Sequence, residues 1–70
     1  MSARTPRLTA KQIIKQLRKA GFSEIGQTGS HLKLFNPKTR RTAIVPVHGS
    51  KIVPMGTLKA IEKQAYITFA

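Results

Sequence analysis

Two histidines are the side chains in this sequence best suited to moving a proton at neutral pH. His31 follows directly after Gly29 and Ser30, and His48 lies further along the chain. Imidazole has an ordinary pKa of about 6.5, so it accepts or donates a proton near pH 7 without special tuning. If the protein is an enzyme, we expect its chemistry at the glycine-led turn that ends in His31.

The chemistry that a histidine with neighbouring cations permits is metal-free cleavage of RNA. A base removes the proton of the 2′-hydroxyl, the oxygen attacks the adjacent phosphorus, and cations stabilise the charge on the phosphate oxygens. Lys33 lies two residues after His31, so on a strand the two side chains share a face. We expect His31 to be the general base or acid and Lys33 to bind phosphate. Gly29 would let a phosphate approach the backbone, and Ser30 would donate from its hydroxyl.

A second interpretation assigns these histidines no chemical task. Gly-Ser-His is a weak motif, so His31 can equally be a half-exposed strand residue and His48 an ordinary loop residue. The protein would then be a non-catalytic RNA-binding domain, or a basic protein whose main role is to bind an acidic partner. We expect no metal or other cofactor, because two histidines and two acidic residues at these spacings make no zinc or magnesium site.

The charge of the chain indicates a polyanionic partner. Thirteen Lys and Arg residues against two acidic residues give a formal net charge of +11, which favours nucleic acid. A membrane surface is a poorer fit, since the basic residues do not form one face of a single long amphipathic helix. Cations predicted to form a phosphate-contacting surface beside a hairpin are Arg40, Arg41, Lys51 and Lys59.

Seventy residues predict one domain spanning residues 1–70. There is no cysteine, which excludes disulfides, thiolate nucleophiles and cysteine-based zinc sites. Met1–Arg7 is predicted to be a polar lead-in interrupted by Pro6, with no apolar signal-peptide core behind its Arg4 and Arg7. We therefore expect a cytoplasmic protein that is not inserted in a membrane.

Local signals predict where the helices begin and end. Thr9 with Gln12 fits a capping box, so a first helix should start at Thr9 and end before Gly21 in a Schellman-type stop. Its apolar residues recur at helical spacing, while the other face carries Lys11, Lys15, Arg18 and Lys19. A second helix is predicted from Pro54 to about Ala65.

Three short strands are predicted between the helices. A strand over Phe22–Gln27 precedes Gly29, Leu32 and Leu34 alternate with polar residues, and Thr42–Val45 is β-branched and apolar. The order α-β-β-β-α predicts an α+β two-layer sandwich, with a three-stranded antiparallel sheet and both helices on one face. His31 and Lys33 should lie on the uncovered face or at its rim.

Five short blocks follow one another along nearly the whole chain: Pro6–Lys11 (PRLTAK), Lys19–Phe22 (KAGF), Gly29–His31 (GSH), Val45–His48 (VPVH) and Gly56–Ile61 (GTLKAI). In this order and spacing they resemble the HicA toxins, the mRNA interferases of HicA/HicB toxin–antitoxin systems. Tyr66 differs, since the family commonly has glycine there.

The resemblance implies a fold similar to the double-stranded RNA-binding domain. It also implies ribosome-independent endonuclease cleavage of mRNA that depends on the histidine of the Gly-Ser-His block, here His31. The partner would be an acidic HicB-type antitoxin that covers the active surface. His48 could protonate the leaving 5′-oxygen, a task that a water or a lysine could also perform.

Overall fold

The computed structural model describes residues 7–70 as α1 (Ala10–Lys19), β1 (Ser23–Thr28), β2 (His31–Asn36), β3 (Arg41–Pro46) and α2 (Met55–Ala65). The three strands form one antiparallel sheet in the order β1-β2-β3. The element order and the sheet type predicted from the sequence are therefore confirmed. Apart from Arg7, which is exposed, the predicted lead-in over Met1–Arg7 lies outside the described residues.

The first helix begins and ends where the local signals predict. The Gln12 amide donates to the Thr9 hydroxyl at 3.3 Å, and the Thr9 amide donates to the Gln12 side-chain oxygen at 2.9 Å. This capping box satisfies amides that the start of a helix leaves unpaired. At the other end Gly21 has a φ of +106°, and the Phe22 amide donates to the Leu17 carbonyl at 2.9 Å. These features are the predicted Schellman stop.

The inward side chains of the central strand form the floor of the core. Leu32 and Leu34 of β2 are buried and lie opposite Val45 and Ala43 of β3, which are also buried. Because paired residues point to the same side of a sheet, these four side chains form one apolar face. β1 is different, since all six of its residues are exposed.

Both helices cover that apolar face. The core is one cluster that joins the inward strand residues to Ile13 and Leu17 of α1 and to Leu58 and Ile61 of α2. The opposite face of the sheet, which we call the outer face, is covered by no helix of residues 7–70. The predicted two-layer arrangement, with the helices on one side, is thus confirmed.

The C-terminal tail binds both helices. Phe69 is buried, and its amide donates to Glu62 Oε2 on α2 at 2.8 Å. Ala70 exchanges two hydrogen bonds with the Gln16 side chain on α1, at 2.9 and 3.0 Å. Tyr66 ends α2 with a φ of +59°, a left-handed conformation in which glycine is the least strained residue.

A buried asparagine connects the end of α1 to the turn between β2 and β3. The Asn36 side chain donates to the Ala20 carbonyl at 3.1 Å and accepts from the Lys38 amide at 3.0 Å. It also packs directly against Gly21, where an added Cβ would lie 3.2 Å from Asn36 Nδ2. Gly21 is therefore required both by its positive φ and by this close approach.

Replacing Gly21 with alanine is expected to lower the free energy of unfolding by about 1–3 kcal/mol, because the left-handed backbone disfavours a Cβ and Asn36 has little freedom to move. Urea unfolding followed by circular dichroism measures this change. Gly56→Ala is the matched control: an added Cβ meets nothing within 4 Å there, and alanine favours the helix. Equal stability of the Gly21→Ala variant and the parent would contradict the prediction.

Candidate active site

His31 lies on the outer face of the sheet, at one end of the central strand. It is the first residue of β2 and lies between Thr28 of β1 and Pro46 of β3. His31 and Lys33 are both exposed, while Leu32 between them is buried. The prediction that His31 and Lys33 share a face is confirmed, and the strand rise separates them by about 6.6 Å.

A cleft of about 360 Å³ surrounds these two side chains on the outer face. Its walls come from all three strands: Gly26, Gln27, Thr28, His31, Lys33 and Ile44. Gly26 lies opposite Lys33 and has no side chain, so the cleft is open on the β1 side. The volume is within the range of about 300–1,000 Å³ that is typical of ligand pockets.

A two-residue turn brings His31 to this position. Gly29 and Ser30 join β1 to β2, and Gly29 has a φ of +57°. Positive φ at the first turn residue alone is the geometry of a type II′ hairpin turn, which favours glycine there. The turn is also connected to the loop after β3, because the Val47 amide donates to the Ser30 carbonyl at 2.6 Å. The approach of a phosphate to Gly29 and donation by the Ser30 hydroxyl stay predictions.

Neither acidic side chain of the sequence contacts His31. Glu24 forms an ion pair with Arg18 on the helix side of the sheet, and Glu62 accepts the Phe69 amide beside α2. His31 therefore has no carboxylate to orient it, unlike the histidine of a Ser-His-Asp triad. Within residues 7–70 no three His, Asp or Glu side chains lie close enough together to hold a metal ion.

The second histidine lies at the same end of the sheet. His48 is two residues beyond Pro46, the cross-strand neighbour of His31, so at most about 7 Å of chain separates His48 from Pro46. It shares a second cleft, of about 280 Å³, with Pro46 and Lys51. The Lys51 amide donates to the His48 carbonyl at 3.3 Å. The structure thus brings His48 and Lys51 towards the end of the sheet where His31 lies.

The four cations predicted to form one phosphate surface are not brought together. The Arg41 guanidinium lies on the helix side, where it donates to the Gln64 carbonyl at 3.2 Å and lies 4.8 Å from the Tyr66 ring centroid. Arg40 is in the turn at the far end of the sheet, and Lys59 is exposed on α2. Arg41 instead satisfies a carbonyl in the last turn of α2. RNA binding by Arg41, Lys51 and Lys59 stays a prediction.

A further cationic surface was not assigned to a site from the sequence. Helical spacing predicts that Lys11, Lys15, Arg18 and Lys19 share the polar face of α1, and all four are exposed. The structure shows that they line one groove of about 880 Å³ together with Glu24 and the loop after β3. Periodicity within a helix does not indicate which distant segment lies across from its polar face.

No helix within residues 7–70 combines the length and the apolar character needed to cross a bilayer.

Residues 10–67 match the family model described as HicA toxin of bacterial toxin-antitoxin. The match extends from the first residue of α1 past the end of α2, so it includes every helix and strand described above. In a comparison with curated proteins, none matches the chain.

Proposed function

Because the chain belongs to the HicA toxin family of bacterial toxin–antitoxin systems, we propose that it is a metal-independent endoribonuclease that cuts mRNA without the ribosome. One observation carries the proposal: an exposed histidine and an exposed lysine share the cleft on the outer face of the sheet. These are the groups that RNA cleavage through the 2′-hydroxyl requires.

His31 is the general base in this mechanism. Its imidazole takes the proton of the 2′-hydroxyl, the 2′-oxygen attacks the adjacent phosphorus, and the bond to the 5′-oxygen breaks. The products are a 2′,3′-cyclic phosphate on one fragment and a 5′-hydroxyl on the other. Lys33, on the same face, stabilises the charge that develops on the phosphate oxygens.

The leaving 5′-oxygen needs a proton, and His48 is our candidate for the group that supplies it. Its position beside Pro46 supports this assignment, because Pro46 is paired with His31. Lys51, which lines the same cleft as His48, would contact a neighbouring phosphate. A water molecule or a lysine is the alternative proton donor.

The partners follow from the family and the charge. A cognate antitoxin is implied for a HicA toxin, and we propose that it is an acidic HicB-type protein that inhibits cleavage. The formal net charge of +11 suits both an acidic protein and RNA. Because mRNA is the substrate, we place the activity in the cytoplasm.

Incubating the purified chain with a long RNA, in EDTA and without ribosomes, tests this function on a denaturing gel. We expect fragments that end in 2′,3′-cyclic phosphate. The same RNA with 2′-O-methyl groups is the control, and it should stay intact because the attacking hydroxyl is blocked. RNA that binds to the chain but is never cut would favour the non-catalytic RNA-binding domain.

Lys33 should contribute a measurable phosphate contact. Replacing it with alanine is expected to reduce the slope of log K against log salt by about 0.7 for a single-stranded RNA, since each such contact releases counterions. Fluorescence anisotropy with the uncleavable 2′-O-methyl RNA measures this slope. Lys38→Ala, in the turn at the far end of the sheet, is the control for the loss of one positive charge. An unchanged slope in the Lys33→Ala variant would show that Lys33 does not contact phosphate.

A further inference from the structure

The groove beside α1 lies on the helix side of the sheet, whereas His31 lies on the outer face. Four cations of α1 (Lys11, Lys15, Arg18 and Lys19) form one wall. Glu24 of β1 and the residues Val47 and Gly49 of the loop after β3 also line the groove. Since Glu24 forms an ion pair with Arg18 of α1, this part of β1 borders the helix layer. We call this feature the α1 groove.

The α1 groove combines positive charge with an apolar surface. Ile14 and Val47 are partly buried apolar side chains that pack on the core and are also exposed in the groove. Lys11, Lys15 and Lys19 are exposed around them. Within residues 7–70, the ion pair between Arg18 and Glu24 is the one salt bridge, so the charges of these three lysines are not compensated.

This combination favours a protein segment over a nucleic acid. Phosphates would pair with the lysines but would gain nothing from Ile14 and Val47. An amphipathic segment would place its apolar side chains against Ile14 and Val47 and its carboxylates against the lysines of the groove, as in other helix-in-groove complexes. The charge complementarity would also steer the two proteins together.

We infer that the α1 groove docks an acidic amphipathic segment of the cognate antitoxin. Family membership supplies the protein partner, and the groove supplies the chemistry that selects an acidic, amphipathic segment. Because the groove and His31 are on opposite sides of the sheet, this contact does not itself occupy the cleft around His31, and another part of the antitoxin would cover that cleft. The inference rests on the proposed acidic antitoxin and not on the proposed ribonuclease activity, so the two can fail separately.

The experiment measures antitoxin affinity after charge reversal in the groove. The probe is the cognate antitoxin, titrated by isothermal calorimetry into the Lys11→Glu/Lys15→Glu double variant of the full chain. Both lysines are exposed, so thermal unfolding should stay close to that of the parent. We expect the dissociation constant to rise about 10- to 100-fold, because like charges would then face each other.

Two comparisons make the outcome decisive. Lys38→Glu/Lys63→Glu changes the net charge equally at exposed positions outside the groove, and it should bind the antitoxin almost as the parent does. Binding of 2′-O-methyl RNA should fall by the same factor in both double variants. If the Lys11→Glu/Lys15→Glu variant binds the antitoxin as tightly as the parent does, the inference is overturned. A selective loss of RNA binding in that variant would overturn it too, and would make the groove an RNA surface.

Discussion

Replacing His31 with alanine is expected to slow RNA cleavage by about 10²- to 10⁴-fold, which is the usual contribution of a positioned proton-transfer group. RNA binding should change little, because the phosphate contacts come from lysines and arginines. Stability should also be close to that of the parent, since His31 is exposed and surface substitutions usually cost within about 0.5 kcal/mol. Single-turnover cleavage of a labelled RNA measures the rate.

His31→Gln is the matched variant, because glutamine keeps a polar side chain of similar size but cannot act as the base. It should be as slow as His31→Ala. Parental rates in both variants would show that another group removes the proton. The same assay on His48→Ala tests the second proton-transfer group: a loss in rate supports it, and a parental rate assigns that proton to another donor.

Replacing Leu34 with alanine is expected to have the largest effect on folding. Leu34 is fully buried at the centre of β2, opposite Ala43 and beneath both helices. Loss of a buried leucine side chain costs about 2–5 kcal/mol, from lost apolar burial and the cavity that remains. A chain of this length has a total stability of about 4–10 kcal/mol at the usual value per residue. The variant should therefore be only marginally folded.

Thermal unfolding followed by circular dichroism measures this effect. A decrease in the melting temperature of at least about 10 °C is expected for a domain of this size. Met55→Ala is the control, because Met55 is 58% exposed at the start of α2 and alanine favours a helix. It should change stability by less than about 0.5 kcal/mol. Similar melting of Leu34→Ala and the parent would mean that the core does not depend on this residue.

The basic residues of the two surfaces have different proposed roles, one in binding RNA and the other in binding a protein. The outer face offers His31 and Lys33 in a cleft, where the chemistry on RNA would occur. The helix side offers the lysines of the α1 groove around an apolar floor, where a protein segment would dock. The sheet separates the two surfaces, and the loop after β3 connects them, since Val47 lines the groove and its amide donates to the carbonyl of Ser30, the residue before His31. A net charge of +11 does not by itself reveal this division.

The sequence by itself determined the helices, the strands and the face on which His31 lies. The cap formed by Thr9 with Gln12 and the stop at Gly21 act through hydrogen bonds between residues close in sequence. The turn at Gly29 and Ser30 depends on the positive φ of Gly29 itself. Strand alternation then assigns His31 and Lys33 to one side once Leu32 is buried. All of these signals are local, so they can be recognised without the fold.

Only the tertiary structure decided which charged residues act together. Arg41 is adjacent to Arg40 in sequence, yet it contacts the end of α2, 23 residues away, at Gln64. Ala70 binds Gln16 across 54 residues. The lysines of α1 face Val47 because both helices pack on the same apolar face of the sheet. Such neighbours depend on the burial of core side chains that are distant in sequence, and no spacing along the chain encodes them.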